Sequence, residues 1–184
     1  MKIALVTTHN TSNYGATLQT YATYSILSKY GDVSIVNYNN IHIGFNQVIR
    51  LKLSVHGVLG TLKDVCRFFP RRRAMHKFKN FISMYFNLSE IISKDSYYLP
   101  GYDLYVCGSD QIWNPSCISG DCTLDETYFL SFAPIGSKKI SYASSLGNYI
   151  YSSDESDMVK SLLSDFYSIS VRESDSQKQL ESIL

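Results

Sequence analysis

The order of apolar and polar stretches along the chain predicts the fold. Residues 2–7 form a mainly apolar run bounded by polar residues, which is typical of a parallel strand covered on both faces. Apolar side chains at helical spacing then predict a helix over about 16–30, with Gly31 as its stop. Residues 33–37 read as a second strand. A strand, a helix and a strand in this order form the building block of a parallel sheet.

Further elements of the same two kinds follow. Less regular helical spacing between residues 38 and 99 predicts two helices, 46–62 and 73–85, separated near Pro70. Later strands are predicted at 102–107, 139–144 and 168–171, and later helices over about 153–166 and from 174 to the end. For the apolar piece 127–132, the pattern does not decide between a helix and a strand. We therefore predict an α/β fold, a Rossmann-like parallel sheet flanked by helices.

Composition narrows the class of protein. The 184 residues are 45% hydrophobic and 18% charged, as expected of one globular α/β domain with a real core. No apolar run approaches the roughly 20 residues needed to span a bilayer, and the N-terminus does not resemble a signal peptide. A cytoplasmic protein is the default expectation. The four cysteines and four histidines lack the spacing of a disulfide framework or a metal site, so we predict no metal.

Charge is distributed unevenly. Residues 50–79 contain nine basic residues and one acidic residue, Asp64, a balance of +8, whereas the remainder has eight basic and fifteen acidic residues, a balance of −7. The basic stretch could present a solvated face, or it could lie peripherally against an anionic membrane, through 46–79, or against an acidic polysaccharide. No nucleic-acid-binding motif accompanies the charge, so nucleic acid is not an expected partner.

The loop after the first strand is a candidate binding segment. It contains His9, Asn10, Ser12 and Asn13 before Gly15, at the start of the first predicted helix. The free N–H groups of a helix N-terminus favour anions, so Asn10, Ser12, Asn13 and the Gly15 backbone could contact a phosphate or a sugar. A plain N-cap and turn explain the same residues equally well.

The stretch 108–115 carries the densest set of functional groups in the chain. It follows a predicted buried strand that ends at Gly108, and it holds Ser109, Asp110, Gln111, Asn114 and the single tryptophan, Trp113. Ligands of open α/β sheets bind at the carboxyl ends of the strands. We therefore expect these residues at a binding site. The alternative is that Asp110 and Asn114 cap backbone groups and Trp113 anchors the loop on the core.

Two later strand ends add candidates. Ser144 lies in the small-residue stretch 141–147, which lacks the features of a hydrolase nucleophile and favours close packing beside the site. Arg172 follows the last predicted strand and suits a phosphate or a carboxylate, unless it pairs with Glu173 or Asp175.

Taken in order, these segments resemble the polysaccharide pyruvyl transferase family. The resemblance covers nearly the whole chain, and its most specific element is the Gly-Ser-Asp-Gln-x-Trp motif that begins at Gly108. The other matching segments are 13–16 followed by Leu18 and Gln19, then 36–38, 140–147 and 169–173.

The resemblance implies an enzyme that transfers the pyruvyl group of phosphoenolpyruvate, as a ketal, to a sugar of a cell-surface polysaccharide or lipid-linked glycan, with no other cofactor. It implies one half of a GT-B-type two-domain enzyme: residues 1–184 would be the N-terminal domain, with a basic helical insertion at about 46–85, and the family's second domain would be absent. Expected substrate-binding residues are Asn10, Asn13, Tyr14, Gly15, Gln19, Gly108, Ser109, Asp110, Gln111, Trp113, Asn114, Ser144 and Arg172. Asp110 is a weak candidate for the catalytic base. A nucleotide-sugar glycosyltransferase and a non-catalytic glycan- or partner-binding module remain alternatives.

Overall fold

A computed structural model describes residues 1–44, 55–93 and 96–184, and for residues 55–67 it describes the backbone alone. Strands and helices alternate along most of this chain. The strands are β1 (Lys2–Val6), β2 (Asp32–Tyr38), β3 (Leu88–Ile92), β4 (Leu104–Asp110), β5 (Lys139–Ser144) and β6 (Phe166–Ser168). The helices are α1 (Tyr14–Leu27), α2 (Val55–Tyr85), α3 (Pro115–Ile118), α4 (Ser153–Leu163) and α5 (Ser174–Ile183), with a 3-10 helix at Glu126–Phe129.

The six strands form one sheet in the order β3-β2-β1-β4-β5-β6, and every neighbouring pair is parallel. The chain builds outward from β1 to β3 and then returns to the other side of β1 to place β4. Strand order therefore reverses between β1 and β4. In doubly wound sheets, this reversal opens a crevice at the carboxyl ends of the two strands. The predicted α/β, Rossmann-like sheet is confirmed.

Alternating side chains of β1 pack on opposite faces of the sheet. Ile3 and Leu5 pack into a core that α1 and α2 cover, and Ala4 and Val6 pack into a second core beneath the 3-10 helix, α4 and α5. All four side chains are fully buried. This two-sided burial explains why β1 reads as a continuous apolar run.

Several predicted elements are confirmed and others need correction. The strand at 139–144 has the predicted bounds, and β1, α1, β2 and α5 differ only near their ends. The strand after residue 102 does not stop at Gly108, because pairing with β5 continues to Asp110 and Ser144. The last strand lies at Phe166–Ser168 instead of 168–171, which shortens α4 to Leu163; Val171 makes only an isolated bridge to Ser144. The apolar piece 127–132 begins within the 3-10 helix.

The prediction of two helices separated near Pro70 is wrong in the described part of the chain. Helix α2 continues through Pro70, and the part of the predicted 46–62 helix before residue 55 lies outside the described residues. Phe69 and Arg71 are exposed on either side of the proline.

None of the helices in the described ranges combines the length and the apolar character needed to cross a membrane.

Candidate functional site

The carboxyl ends of β1 and β4 are joined by side-chain hydrogen bonds. The Thr7 hydroxyl donates to the Ser109 carbonyl oxygen at 3.1 Å, and the Thr8 hydroxyl donates to Asp110 Oδ2 at 2.7 Å. These contacts lie at the point where strand order reverses. The predicted edge of the sheet therefore carries a polar cluster centred on Asp110.

Gly108 brings β4 and β5 unusually close. Its φ is 130°, and a Cβ atom at this position would lie 2.1 Å from the backbone oxygen of Tyr142. Only glycine fits a backbone approach of this kind. Gly108 therefore contributes to the site as a spacer, which lets the two strands carry their polar residues to one edge.

Asp110 has a backbone conformation that side-chain-bearing residues rarely adopt, with φ at 103°. Its Oδ1 accepts a hydrogen bond from the Gln111 backbone N–H at 2.8 Å, and its carbonyl oxygen accepts one from the Ser145 N–H at 3.0 Å. Such conformations cost free energy and concentrate at functional sites. The surrounding hydrogen bonds hold the carboxylate at the sheet edge.

Asn13 caps α1. Its Oδ1 accepts hydrogen bonds from the N–H groups of Gly15, at 2.8 Å, and Ala16, at 3.4 Å. The side chain thus occupies the place where an anion would meet these two N–H groups. The capping interpretation of this loop is what the geometry supports, and direct contact of Asn13 or Gly15 with substrate stays a prediction.

The other candidates on α1 and its loop point in different directions. Gln19 donates through Nε2 to the Ser109 hydroxyl, which ties α1 to β4. Asn10 donates to Asn39 Oδ1 at 2.9 Å and so contacts the loop after β2. Tyr14 is exposed and packs its ring 4.7 Å from that of Phe78 on α2. Among the candidates on α1, Gln19 therefore supports the polar cluster through its hydrogen bond to Ser109.

Two adjoining cavities open along the same edge and share Gln111. The larger, about 480 Å³, is lined by Gln111, Asn114, Ser116, Gly147, Asn148, Tyr149, Arg172 and Glu173. The smaller, about 230 Å³, is lined by Thr8, Thr11, Asn13, Ala16, Ile43, Asp110, Gln111, Cys117 and Ile118. Five of the predicted residues, Asn13, Asp110, Gln111, Asn114 and Arg172, thus surround one continuous region.

Arg172 is engaged by a neighbouring carboxylate. Its Nε lies 2.6 Å from Glu173 Oε1, and its Nη2 donates to the Ser145 hydroxyl at 3.1 Å. That hydroxyl in turn donates to Glu173 Oε1 at 2.8 Å. Burial opposes ionisation of Glu173, yet the hydrogen bonds from Arg172 and Ser145 hold its pKa below the usual value. The larger cavity therefore has a compensated ion pair at its wall, as the pairing alternative for Arg172 expected.

Trp113 and Ser144 lie behind the cavities. Trp113 is fully buried, stacks on Phe129 with centroids 5.4 Å apart and donates from Nε1 to the Tyr128 carbonyl oxygen at 3.0 Å. Ser144 is also fully buried and donates to the Cys107 carbonyl oxygen at 3.3 Å. Both side chains anchor the site's backbone and expose no surface to a ligand in this conformation.

Asn114 caps a helix, as the alternative interpretation expected, and it also contacts Gln111. Its Oδ1 accepts from the Ser116 N–H at 3.1 Å and so caps the short helix α3. Its Nδ2 donates to Gln111 Oε1 at 3.0 Å. Asn114 thereby orients Gln111, the residue that the two cavities share.

His9 is a feature of the edge whose burial the sequence analysis did not anticipate. Its ring is 3% exposed, with Nδ1 3.3 Å from the Thr7 carbonyl oxygen. Burial lowers the pKa of His9 from 6.5 to about 4, although the contact with the Thr7 carbonyl opposes this shift. The position of His9 shortly after β1 was the available signal, since burial continues from the strand through Thr7 and Thr8 to His9.

We expect the buried neutral state of His9 to make stability depend on pH. The unfolded chain takes up a proton near pH 6.5 and the folded protein only near pH 4, so the free energy of unfolding should fall by about 3 kcal/mol as the pH drops through that window. Urea unfolding at a series of pH values measures this loss. His9→Asn should remove most of the pH dependence of the free energy of unfolding between pH 4 and 6.5. The control His76→Gln, at an exposed position, should keep the pH dependence of the wild type. The same pH dependence in the wild type and both variants would contradict the role given to His9.

Comparison with protein families decides the class to which the chain belongs. The family model described as polysaccharide pyruvyl transferase matches residues 13–184. The chain belongs to the polysaccharide pyruvyl transferase family. No curated protein and no solved structure matched it.

The match includes most of the site of this pyruvyl transferase family member. It begins at Asn13, the cap of α1, and includes Asp110, Gln111 and Arg172. The resemblance noted from the sequence motifs is confirmed over this range. In the described ranges, no three His, Cys, Asp or Glu side chains are grouped as a metal site would require.

Proposed function

We propose that this protein takes part in transfer of the pyruvyl group of phosphoenolpyruvate to two hydroxyl groups of a sugar in a cell-surface glycan. Two sugar oxygens form bonds to C2 of the enolpyruvyl group, and the bond from C2 to the phosphate oxygen breaks. One hydroxyl proton goes to C3, which becomes a methyl group, and the other leaves with inorganic phosphate. The product is a pyruvate ketal, so neither an oxidant nor a reductant is needed.

One observation carries the proposal: the family match contains Asp110, Gln111, Asn114 and Arg172, and these residues line two adjoining cavities along the carboxyl edge of the sheet, the smaller of which lies at the switch point. Ligands of doubly wound sheets bind at this position. The larger cavity, at about 480 Å³, has the size of a small-molecule site. A function in small-molecule or sugar chemistry fits this placement.

The chemistry of the larger cavity favours the sugar as its occupant. Its polar lining consists of amides and hydroxyls apart from the Arg172–Glu173 pair, whose charges compensate each other. Such groups exchange hydrogen bonds with neutral hydroxyls. Phosphoenolpyruvate carries a carboxylate and a phosphate and needs uncompensated cations. We therefore propose that the sugar acceptor occupies the larger cavity. Cations outside the two cavities would then bind the carboxylate and the phosphate of phosphoenolpyruvate.

Asp110 is the group that we propose as base for a sugar hydroxyl. It lines the smaller cavity, beside Gln111. Each of its carboxylate oxygens accepts one protein hydrogen bond, from Thr8 or from the Gln111 N–H. A carboxylate oxygen has a second lone pair, so Asp110 can still accept a proton from a hydroxyl.

The direct test supplies the purified protein with phosphoenolpyruvate and a panel of polysaccharide and lipid-linked glycan acceptors. Phosphate release together with the methyl signal of a ketal in the proton spectrum supports the proposal. Consumption of a nucleotide sugar in place of phosphoenolpyruvate would indicate a glycosyltransferase. Glycan binding without turnover of either donor would indicate a binding module. Either of these results overturns the proposal.

A cavity variant should change acceptor binding more than chemistry. Asn148 is exposed at the wall of the larger cavity, and loss of one hydrogen bond to a sugar weakens binding by about 1 kcal/mol. We expect Asn148→Ala to raise KM for the acceptor roughly fivefold with little change in kcat. The matched control is Asn80→Ala on α2. An equal rise in KM for both variants would contradict the assignment of this cavity.

A further inference from the structure

Helix α2 extends well past the helix beside it. Its ring contacts with α1 follow the same order in both helices: Phe78 meets Tyr14, Phe81 meets Tyr21 and Phe86, just after α2, meets Tyr24. The two helices therefore run in the same direction, and α1 begins at Tyr14 beside the carboxyl edge of the sheet. The part of α2 before Phe78 thus lies beyond the start of α1. At 1.5 Å per residue, it adds roughly 35 Å of helix.

Solvent surrounds α2 at residues 69–73, whereas Met75, in the next turn, packs against the core of the domain. Residues 69–73 are all exposed, and five consecutive residues cover more than one full turn of an α-helix. No side of the helix is buried at this level. We call residues 68–79 of α2 the basic arm.

The basic arm carries one sign of charge. It contains Arg71, Arg72, Arg73, Lys77 and Lys79, all exposed, and the chain has no Asp or Glu between Asp64 and Glu90. By contrast, the chain outside residues 50–79 has a balance of −7. An anionic surface would therefore attract the arm and repel the rest of the protein, which fixes one orientation.

An exposed aromatic side chain accompanies the cations. The Phe69 side chain is 77% exposed, and its ring contacts only Phe68 among the aromatic contacts of the described residues, at 5.6 Å between centroids. Basic residues combined with a projecting aromatic ring are typical of segments that bind the interface of an anionic bilayer. A nucleic-acid duplex would attract the same charges, but its paired and stacked bases offer no comparable place for an apolar ring that points into water.

We propose that the basic arm binds the surface of membranes that contain anionic lipids. The cations attract the headgroups and Phe69 enters the interfacial region. Because the arm extends past the carboxyl edge of the sheet, binding brings the two cavities close to the bilayer surface. This inference does not rest on the proposed transfer reaction, since vesicle binding needs neither donor nor acceptor.

The test measures co-flotation of the protein with vesicles of phosphatidylcholine alone or mixed with phosphatidylglycerol. We expect binding only to the mixed vesicles, with a steep decrease as salt is added. The variant Arg72→Gln/Arg73→Gln/Lys77→Gln should bind about 100-fold more weakly, because each basic residue near the surface contributes about fivefold. The control Lys29→Gln/Lys160→Gln/Lys178→Gln removes the same charge from the turn after α1, from α4 and from α5, and should bind nearly as well as the wild type.

A fluorescent variant tests the aromatic contact separately. Trp113 is buried, so the difference in emission between Phe69→Trp and the wild type reports the environment of position 69. A shift to shorter wavelength on mixed vesicles supports the proposal. Equal binding by the two triple variants, no binding of the wild type, equal binding to neutral vesicles, or tighter binding to DNA or an acidic polysaccharide would overturn it.

Discussion

Replacing Gly108 with alanine is expected to lower the free energy of unfolding by about 3 kcal/mol or more. The added Cβ atom would lie 2.1 Å from the Tyr142 backbone oxygen, and backbone in the middle of a sheet cannot move aside cheaply. The φ of 130° adds strain for any residue with a side chain. Urea unfolding followed by circular dichroism measures the loss.

A second glycine separates the two causes of this destabilisation. Gly136 also has a positive φ, 79°, but a Cβ atom there would meet nothing within 4 Å. Gly136→Ala should therefore cost only the conformational term, about 1 kcal/mol. If Gly108→Ala and Gly136→Ala were equally stable, close approach of β4 and β5 would not be the reason for glycine at position 108.

The Asp110→Asn variant is expected to lower kcat roughly 10²- to 10⁴-fold while the protein stays folded. Asparagine has nearly the same shape, and its Oδ1 can still accept from the Gln111 N–H. It also tolerates positive φ better than most residues, which suits the conformation at this position. The variant therefore removes proton acceptance with little disturbance of the backbone. Phosphate release in the pyruvyl transfer assay measures the effect.

Two further variants test whether such a loss of kcat is specific to Asp110. Asp157→Asn changes an exposed carboxylate on α4 and should leave kcat unchanged. Thr8→Val removes the hydroxyl that donates to Asp110 Oδ2 and should reduce kcat about tenfold. Full activity of Asp110→Asn, with unfolding behaviour like that of the wild type, would eliminate Asp110 as the base.

The sequence predicts the elements that are buried on both faces better than those at the margins of the sheet. Strands β1 and β2 could be predicted from apolar runs, and α1 from helical spacing, because tertiary burial enforces those patterns. Strand β3 was missed, since only Ile92 of its five residues is buried and no apolar run results. Continuation of α2 through Pro70 was equally hidden, because exposure around the proline leaves no trace in the pattern.

The edge of the sheet that carries the site could be predicted, but the roles of individual side chains could not. Strand ends locate Asp110 and Arg172 because parallel strands finish at one edge. Whether Arg172 is available to a ligand depends on the turn that brings Glu173 to its Nε, and the burial of Trp113 depends on packing against Phe129. Such contacts depend on three-dimensional proximity that spacing along the chain does not encode.

The central position of β1 has a consequence for biosynthesis. One neighbour, β2, follows within 40 residues, but the other, β4, is complete only at Asp110. At ordinary rates of translation, the ribosome needs roughly 5–20 s to add the intervening hundred residues. During that interval the nascent chain presents an apolar strand with open hydrogen-bonding groups along one side. The growing polypeptide is therefore a natural client for chaperones that shield such strands until their partner emerges.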